Sequence, residues 1–313
     1  MPRWTVQQTQ WIRQLLPVCD HDAHLAQRQL AWLKEKVLAD HRGSSALESR
    51  LISHLSVAEC NQLDEHVKER ANNKPLQYIL GTQPFCDLEI VTRPPVLIPR
   101  WETEEWTSRL IDILKPHAAA RYSKENPLRV LDVCTGSGCI ALAMSAHLPA
   151  ARASILGLDI GSEAIDLARH NLKVLDDELQ NPVEFRQQDI FDPVKEPFFD
   201  VVVSNPPYIT TEEYAVLDAD VKDWEDERAL VALEDGTRVH KRIIEVVSAH
   251  TKPNDSNNDK NKNIEEREFP RLIMEMGGSH QVDALSYSLE KHGFRNISVW
   301  KDLADKDRVI VGY

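Results

Sequence analysis

The chain has 313 residues, 42% of them hydrophobic, enough to bury a large core and to divide into two domains. Its 37 Lys and Arg stand against 50 Asp and Glu, and the net charge of −13 disfavours a surface built to neutralise nucleic-acid phosphates. No apolar run approaches the roughly 18 residues that span a bilayer, and the five cysteines form no C-x-x-C pair, so neither a disulfide framework nor a zinc site is indicated.

Residues 1–82 read as a helical module. Trp11, Leu15 and Leu16 give one apolar face, Leu25, Leu30, Leu33, Val37 and Leu38 a second, and Ser56-Val57-Ala58-Glu59 is a capping-box signature before a third helix through Val67. Most of these apolar residues pack on each other, and only the exposed remainder is left to grip a macromolecule. His21 and His24 flank Asp22 but have no further ligands nearby, so they read as a solvated face and no metal is expected. The first 19 residues carry Arg3 and Arg13, no acidic residue, and Trp4, Trp11, Ile12, Leu15 and Leu16. That pattern fits the first helix and also resembles an amphipathic transit segment. Residues 83–99, with Leu88, Ile90 and Val96-Leu97-Ile98 interrupted by Pro94-Pro95, read as a hairpin-like connector.

From residue 100 to residue 313 apolar strands alternate with helices, the pattern of an α/β fold with a doubly wound, mostly parallel sheet. Leu128-Arg129-Val130-Leu131-Asp132 is a strand that runs through Cys134-Thr135-Gly136-Ser137-Gly138 into an apolar helix beginning at Cys139. Glycines there let the backbone turn sharply and admit a ligand to the free N–H groups of the helix start. The next strand ends at Asp159, about 20 residues on, where dinucleotide folds carry the carboxylate that binds ribose hydroxyls. Gly136-Ser137-Gly138-Cys139-Ile140-Ala141 also satisfies the loose dinucleotide fingerprint. Asp132, however, would set a negative charge beside a pyrophosphate, whereas it suits the amino group and sulfonium of S-adenosylmethionine. Asp132 itself reads equally as a cap of the glycine turn or as a direct cofactor contact. Ser162 is expected to cap the following helix, and Val183-Glu184-Phe185, Leu272-Ile273-Met274, Ile297-Ser298-Val299 and Val309-Ile310-Val311 to supply further strands. Between Lys252 and Glu268 an Asn, Asp, Lys and Glu rich tract is expected to be a disordered loop.

Asn205-Pro206-Pro207-Tyr208 closes the strand that begins at Phe199. Two prolines cannot continue a ladder, so they force a rigid exit that holds Asn205 at the carboxyl edge of the sheet. An NH2 group there can donate to the Asn205 side-chain oxygen and to a carbonyl of the proline pair, with Tyr208 as a flat wall.

Together with Val96-Leu97-Ile98-Pro99-Arg100-Trp101-Glu102-Thr103-Glu104 and Pro75-Leu76-Gln77-Tyr78-Ile79-Leu80-Gly81, these segments resemble the release factor glutamine methyltransferases, the HemK/PrmC family, and its mitochondrial type in particular. The resemblance implies a seven-stranded class I methyltransferase sheet with an antiparallel ending, an amino-terminal helical domain that recognises substrate, and S-adenosylmethionine as cofactor. It implies methylation of the side-chain amide of the glutamine in the Gly-Gly-Gln loop of a peptide chain release factor. Asp132, Cys134, Thr135, Gly136, Ser137, Gly138, Asp159, Ile190 and Asn205 would hold the cofactor, and Asn205, Pro206, Pro207 and Tyr208 the glutamine, with Asn205, Pro206 and Tyr208 acting in catalysis. Departures are Cys134 for a common glycine, Trp101 for a common proline, Ile190 where tryptophan often follows the acidic residue, and Asp226 for proline in the loop that holds Glu225. A mitochondrial location is expected, with the cytoplasm as the alternative. The competing readings are an adenine methyltransferase acting on nucleic acid, a non-catalytic release-factor binder, and a nicotinamide oxidoreductase.

Overall fold

The computed structural model describes residues 2–43, 45, 48, 49, 52, 54–194, 196, 198–250 and 269–313, and for 2–5 the backbone alone. The polar tract at 252–268 lies outside the described residues. Two compact units emerge, Met1–Gln83 with Asp218–Trp224, and Pro84–Leu217 with Glu225–Tyr313.

The first unit holds α1 (Pro2–Leu15), α2 (Ala23–Arg42), α3 (Val57–Ala71) and the short α4 (Leu76–Leu80). Trp11, Leu15, Leu30, Leu33, Val37, Leu63 and Val67 form one core, each worth about 1.5–3 kcal/mol of buried apolar surface. Asp22 starts α2, its carboxylate accepting from the N–H groups of His24 and Leu25 at 2.7 and 3.1 Å. Ser56 and Glu59 make the expected capping box. Glu59 does more than cap, since Arg42 donates to both of its oxygens and holds the buried carboxyl down at about 2. Buried Arg70 donates to Gln29, Val18 O and Lys74 O and pairs with Asp220 at 3.6 Å, and the Lys74 ammonium lies 5.8 Å from the Trp224 ring. These contacts group the acidic Asp218–Trp224 segment with the helices.

Strands β1 (Thr82–Phe85) and β2 (Leu88–Val91) pair as a two-stranded sheet. The second unit continues with α5 (Trp101–Arg121), β3 (Leu128–Val133), α6 (Cys139–His147), β4 (Ala153–Asp159), α7 (Ser162–Val174), β5 (Val183–Gln187) and β6 (Val201–Ser204). After three one-turn helices, Thr211–Ala215, Ala219–Lys222 and Glu227–Leu230, of which the second belongs to the helical unit, come α8 (Arg238–Ala249), β7 (Leu272–Glu275), α9 (Ser279–Lys291), β8 (Ser298–Lys301) and β9 (Asp307–Gly312). The seven strands lie in the order β5-β4-β3-β6-β7-β9-β8, with the first five parallel and β9 antiparallel to both neighbours. Alternation decides the two faces. Leu128, Val130, Val201 and Val203 meet α5 and α6 on one side, while Leu131, Val133 and Val202 meet α8 and α9 on the other. One expectation is corrected: Gly161 occupies the cap position of α7 and Ser162 is its first helical residue, its hydroxyl donating to Glu163.

Because β3 has β4 on one side and β6 on the other, the chain reverses its winding direction there and a crevice opens beyond the strand ends. Register brings Val133 opposite Leu158 and Ser204, so the residues that follow all three strands share that crevice. Close packing underneath it is strict. A methyl on Gly157 would lie 2.5 Å from the Phe185 ring and 2.8 Å from Thr135 Oγ1. Gly157→Ala is expected to cost about 1–3 kcal/mol by overpacking, and Phe185→Leu should recover part of it. Urea denaturation of the single and double variants checks this; an unchanged midpoint for Gly157→Ala would show that the ring yields freely.

Candidate active site

Backbone geometry at the end of β3 is set by two carboxylates. Asp132 is fully buried and accepts the Thr135 hydroxyl proton at 2.6 Å, while its other oxygen has no partner among the described residues. Burial, opposed by that bond, pushes its carboxyl up to about 7. Asp132 thus ties the turn from below and does not line the crevice. Asp159 accepts from Gly136 N–H at 2.9 Å with one oxygen and from Gly161 N–H at 2.8 Å with the other. Its burial raises the carboxyl, and the two amides counter the shift. Thr135, Ser137 and Gly138 take part in the bonds that hold the turn. Thr135 N–H donates to Leu158 O, Gly138 N–H to Thr135 O, and the buried Asn171 amide to Ser137 O.

The crevice is a cavity of about 400 Å³ bounded by Leu97, Val133, Cys134, Gly136, Leu158, Asp159, Ile190, Phe191, Asn205 and Pro207. That volume lies in the range of about 300–1,000 Å³ usual for small-molecule sites, with the usual apolar walls and few polar groups. Pro206 and Tyr208 lie outside the lining. Over it passes the stretch Val96-Leu97-Ile98, held by Glu225, whose buried carboxylate accepts from Ile98 N–H at 3.3 Å and pairs with Arg100 at 2.5 Å.

Asn205-Pro206-Pro207-Tyr208 is fixed from several directions. Ser204 Oγ donates to Val133 O, the Gln281 amide donates to Tyr208 O, and a methyl on Gly236 would lie 2.0 Å from that same carbonyl. Asn205 Nδ2 donates to Thr103 Oγ1 at 3.1 Å. Thr103 in turn donates to Glu275 Oε2 at 2.6 Å, joined there by Trp106 Nε1–H at 2.9 Å, while the Tyr208 hydroxyl reaches Glu275 Oε1 at 3.3 Å. Among the described residues no donor reaches Asn205 Oδ1. Thr103, Trp106, Glu275 and Gln281 were not singled out from the sequence. Glu275 carries the same signal as Asp159, a carboxylate at the end of an apolar strand, and Thr103 sits within a quoted motif.

Residues 108–222 match the family described as Methyltransferase small domain. A Bacteroides thetaiotaomicron release factor glutamine methyltransferase is 34% identical over 281 residues, covering 88% of this chain and 89% of its own length. The chain belongs to the release factor glutamine methyltransferases. A Schizosaccharomyces pombe relative, a probable MRF1 mitochondrial N(5)-glutamine methyltransferase, is 29% identical over 311 residues, with 95% of this chain and 91% of its own length covered. Among solved structures, the hMettl16 catalytic domain in complex with the MAT2A 3'UTR hairpin 6 has a TM-score of 0.51 at 16% identity over 79% of this chain and 81% of that one, which is a likeness of fold.

The methyl donor of a release factor glutamine methyltransferase is S-adenosylmethionine, and three observations fit the crevice to it. A methyl on Gly136 would meet open space, so the backbone there is accessible to a ligand. Asp159 keeps lone pairs beyond those used by Gly136 and Gly161, enough for hydroxyl donors. Ile190 and Phe191 supply apolar walls for a planar ring. The departures also have physical accounts. Cys134 lies at φ +59°, the left-handed region that favours glycine. Trp101 is the first helical residue of α5, a place where proline and many other residues are tolerated. Asp226 donates its N–H to Pro95 O at 2.8 Å, a bond a proline there would lack. Asp159→Ala is expected to weaken S-adenosylmethionine binding by about 1.5–3 kcal/mol and to lower stability together with it, since two backbone donors lose a charged acceptor. Calorimetry and denaturation on the same variant check the pair, and unchanged affinity would remove Asp159 from the site.

Proposed function

We propose that this enzyme transfers a methyl group from S-adenosylmethionine to the side-chain amide nitrogen of the glutamine in the Gly-Gly-Gln loop of a release factor, with an organellar factor as its natural substrate. The observation that carries the acceptor assignment is the committed side-chain amide of Asn205, whose nitrogen donates to Thr103 while no donor among the described residues reaches its oxygen. S-adenosylmethionine, when bound, supplies an electrophilic methyl group on a sulfonium sulfur. The chain's own residues address the weakness of the nucleophile. A primary amide nitrogen shares its lone pair with the carbonyl, so it has to be held in line and its growing positive charge stabilised. Asn205 Oδ1 and the carbonyl of Pro206 accept its two hydrogens, orient the nitrogen, and become stronger partners as charge develops on it. Cys134, Gly136, Asp159 and Ile190 are assigned to the cofactor, and Asp132, Thr135, Ser137 and Gly138 to the turn that shapes its site. Tyr208 acts by bracing the motif.

The helical unit is the proposed recogniser of the release factor, supported by its separate core and by the acidic segment it gathers. An organellar substrate is supported by the match along 95% of the chain to the fission-yeast mitochondrial relative. The net charge of −13 favours a protein substrate over nucleic acid.

Incubation with methyl-labelled S-adenosylmethionine and purified release factors, with the label mapped by mass spectrometry, is expected to mark one glutamine; label on an adenine amine instead would favour the nucleic-acid reading. Asn205→Ala should cut turnover by about 10² to 10³ while cofactor affinity falls less. Near-normal turnover at saturating substrate would remove Asn205 from its role. Organelle fractionation should find the protein in mitochondria, and a wholly cytosolic protein acting only on the cytosolic factor would overturn the organellar assignment and leave the chemistry standing.

A further inference from the structure

We infer that Glu275 and Thr103 form a positioning relay that decides which way the Asn205 side-chain amide faces, and so whether the site can take an NH2 group at all. The inference rests on the acceptor role proposed above for Asn205. It follows from the direction of each proton. Trp106 Nε1–H is a donor only, so the Glu275 oxygen it reaches at 2.9 Å has to be an acceptor. That same oxygen lies 2.6 Å from Thr103 Oγ1, and with Glu275 held as the carboxylate the threonine hydroxyl donates its single proton to it. Thr103 then faces Asn205 with lone pairs, and the atom of the Asn205 amide 3.1 Å away has to be the nitrogen. Oδ1 points elsewhere by elimination. Oxygen and nitrogen of an amide are alike in shape, so it is this chain of donors that specifies the orientation.

All three relay groups are buried, with Glu275 1% exposed, Thr103 2% and Trp106 3%, so water does not compete for these bonds. Helix α5 supplies Thr103 and Trp106, three residues apart on one face, and β7 supplies Glu275 beside β6, the strand that leads into Asn205. Without the relay, the Asn205 amide is free to turn its NH2 toward the substrate NH2, setting donor against donor.

Turnover per cofactor-bound enzyme separates the possibilities, since it counts only folded molecules. Thr103→Val keeps the shape and removes the hydroxyl, and is expected to lower kcat by about 10², the scale of a small misplacement of a reacting group, with KM for the release factor and cofactor affinity little changed. Thr103→Ser should recover most of the loss. Glu275→Gln should retain much of the activity, because Trp106 forces its amide oxygen into the accepting place, whereas Glu275→Leu should fall with Thr103→Val. In an Asn205→Ala background Thr103→Val should cost nothing further, as a residue that acts only through Asn205 must. Thr103→Val turning over within twofold of the parent, or adding its full loss on top of Asn205→Ala, would overturn the relay. Full activity of Asn205→Ala alone would instead overturn the acceptor role on which it rests.

Discussion

A carboxylate taken out of water costs several kcal/mol unless donors surround it, and the whole site is organised by carboxylates that meet this demand in different ways. Asp159 is met by two backbone amides, and in being met it shapes the glycine turn. Glu225 is met by Arg100 and the Ile98 amide, and so holds the stretch that covers the crevice. Glu275 is met by a hydroxyl, an indole and a phenol, and draws α5 and the proline motif onto one point of the sheet. Asp132 is the exception. Its one side-chain donor is the Thr135 hydroxyl, its other oxygen has no partner among the described residues, and burial pushes the carboxyl up to about 7. Each of the first three bonds is as much a restraint on the backbone as a compensation for burial.

Local signals were legible where the physics is local. Short apolar runs located the sheet strands, Gly136 and Gly138 announced the turn, and the capping box at Ser56 and Glu59 appeared as read. Asn205-Pro206-Pro207-Tyr208 was visible because two prolines have a backbone consequence wherever they occur. Partners far apart in the chain were not legible. Thr103 and Glu275 are separated by 172 residues, and nothing near either one indicates the other. Arg42 and Glu59 illustrate the same limit, since the capping box explained the glutamate so completely that its ion pair had no separate trace. Ser162 failed as a cap for a subtler reason: Gly161 takes an extended conformation as its N–H donates to Asp159, and that bond starts the helix one residue earlier than propensity favours.

The distribution of donors also bears on what the site accepts. Pro206 and Pro207 have no N–H, so the motif after Asn205 offers carbonyls and no backbone donors for two residues. Asn205 directs one N–H of its side-chain amide to Thr103, and Tyr208 gives its hydroxyl proton to Glu275. With the nitrogen of the Asn205 amide turned to Thr103, the atoms proposed to face the substrate are acceptors, Asn205 Oδ1 and the proline carbonyls. A carboxylate or a carbonyl oxygen brought against those atoms would set acceptor against acceptor, a penalty of about 1–3 kcal/mol for each unpaired polar atom. A primary amide presents two hydrogens and is matched. On the acceptor role proposed for Asn205, the same accounting would set glutamine apart from glutamate, which is its equal in size and has no N–H to offer. In the proposed arrangement, selectivity comes from the acceptors turned to the substrate, and the relay behind Asn205 keeps its amide nitrogen turned away.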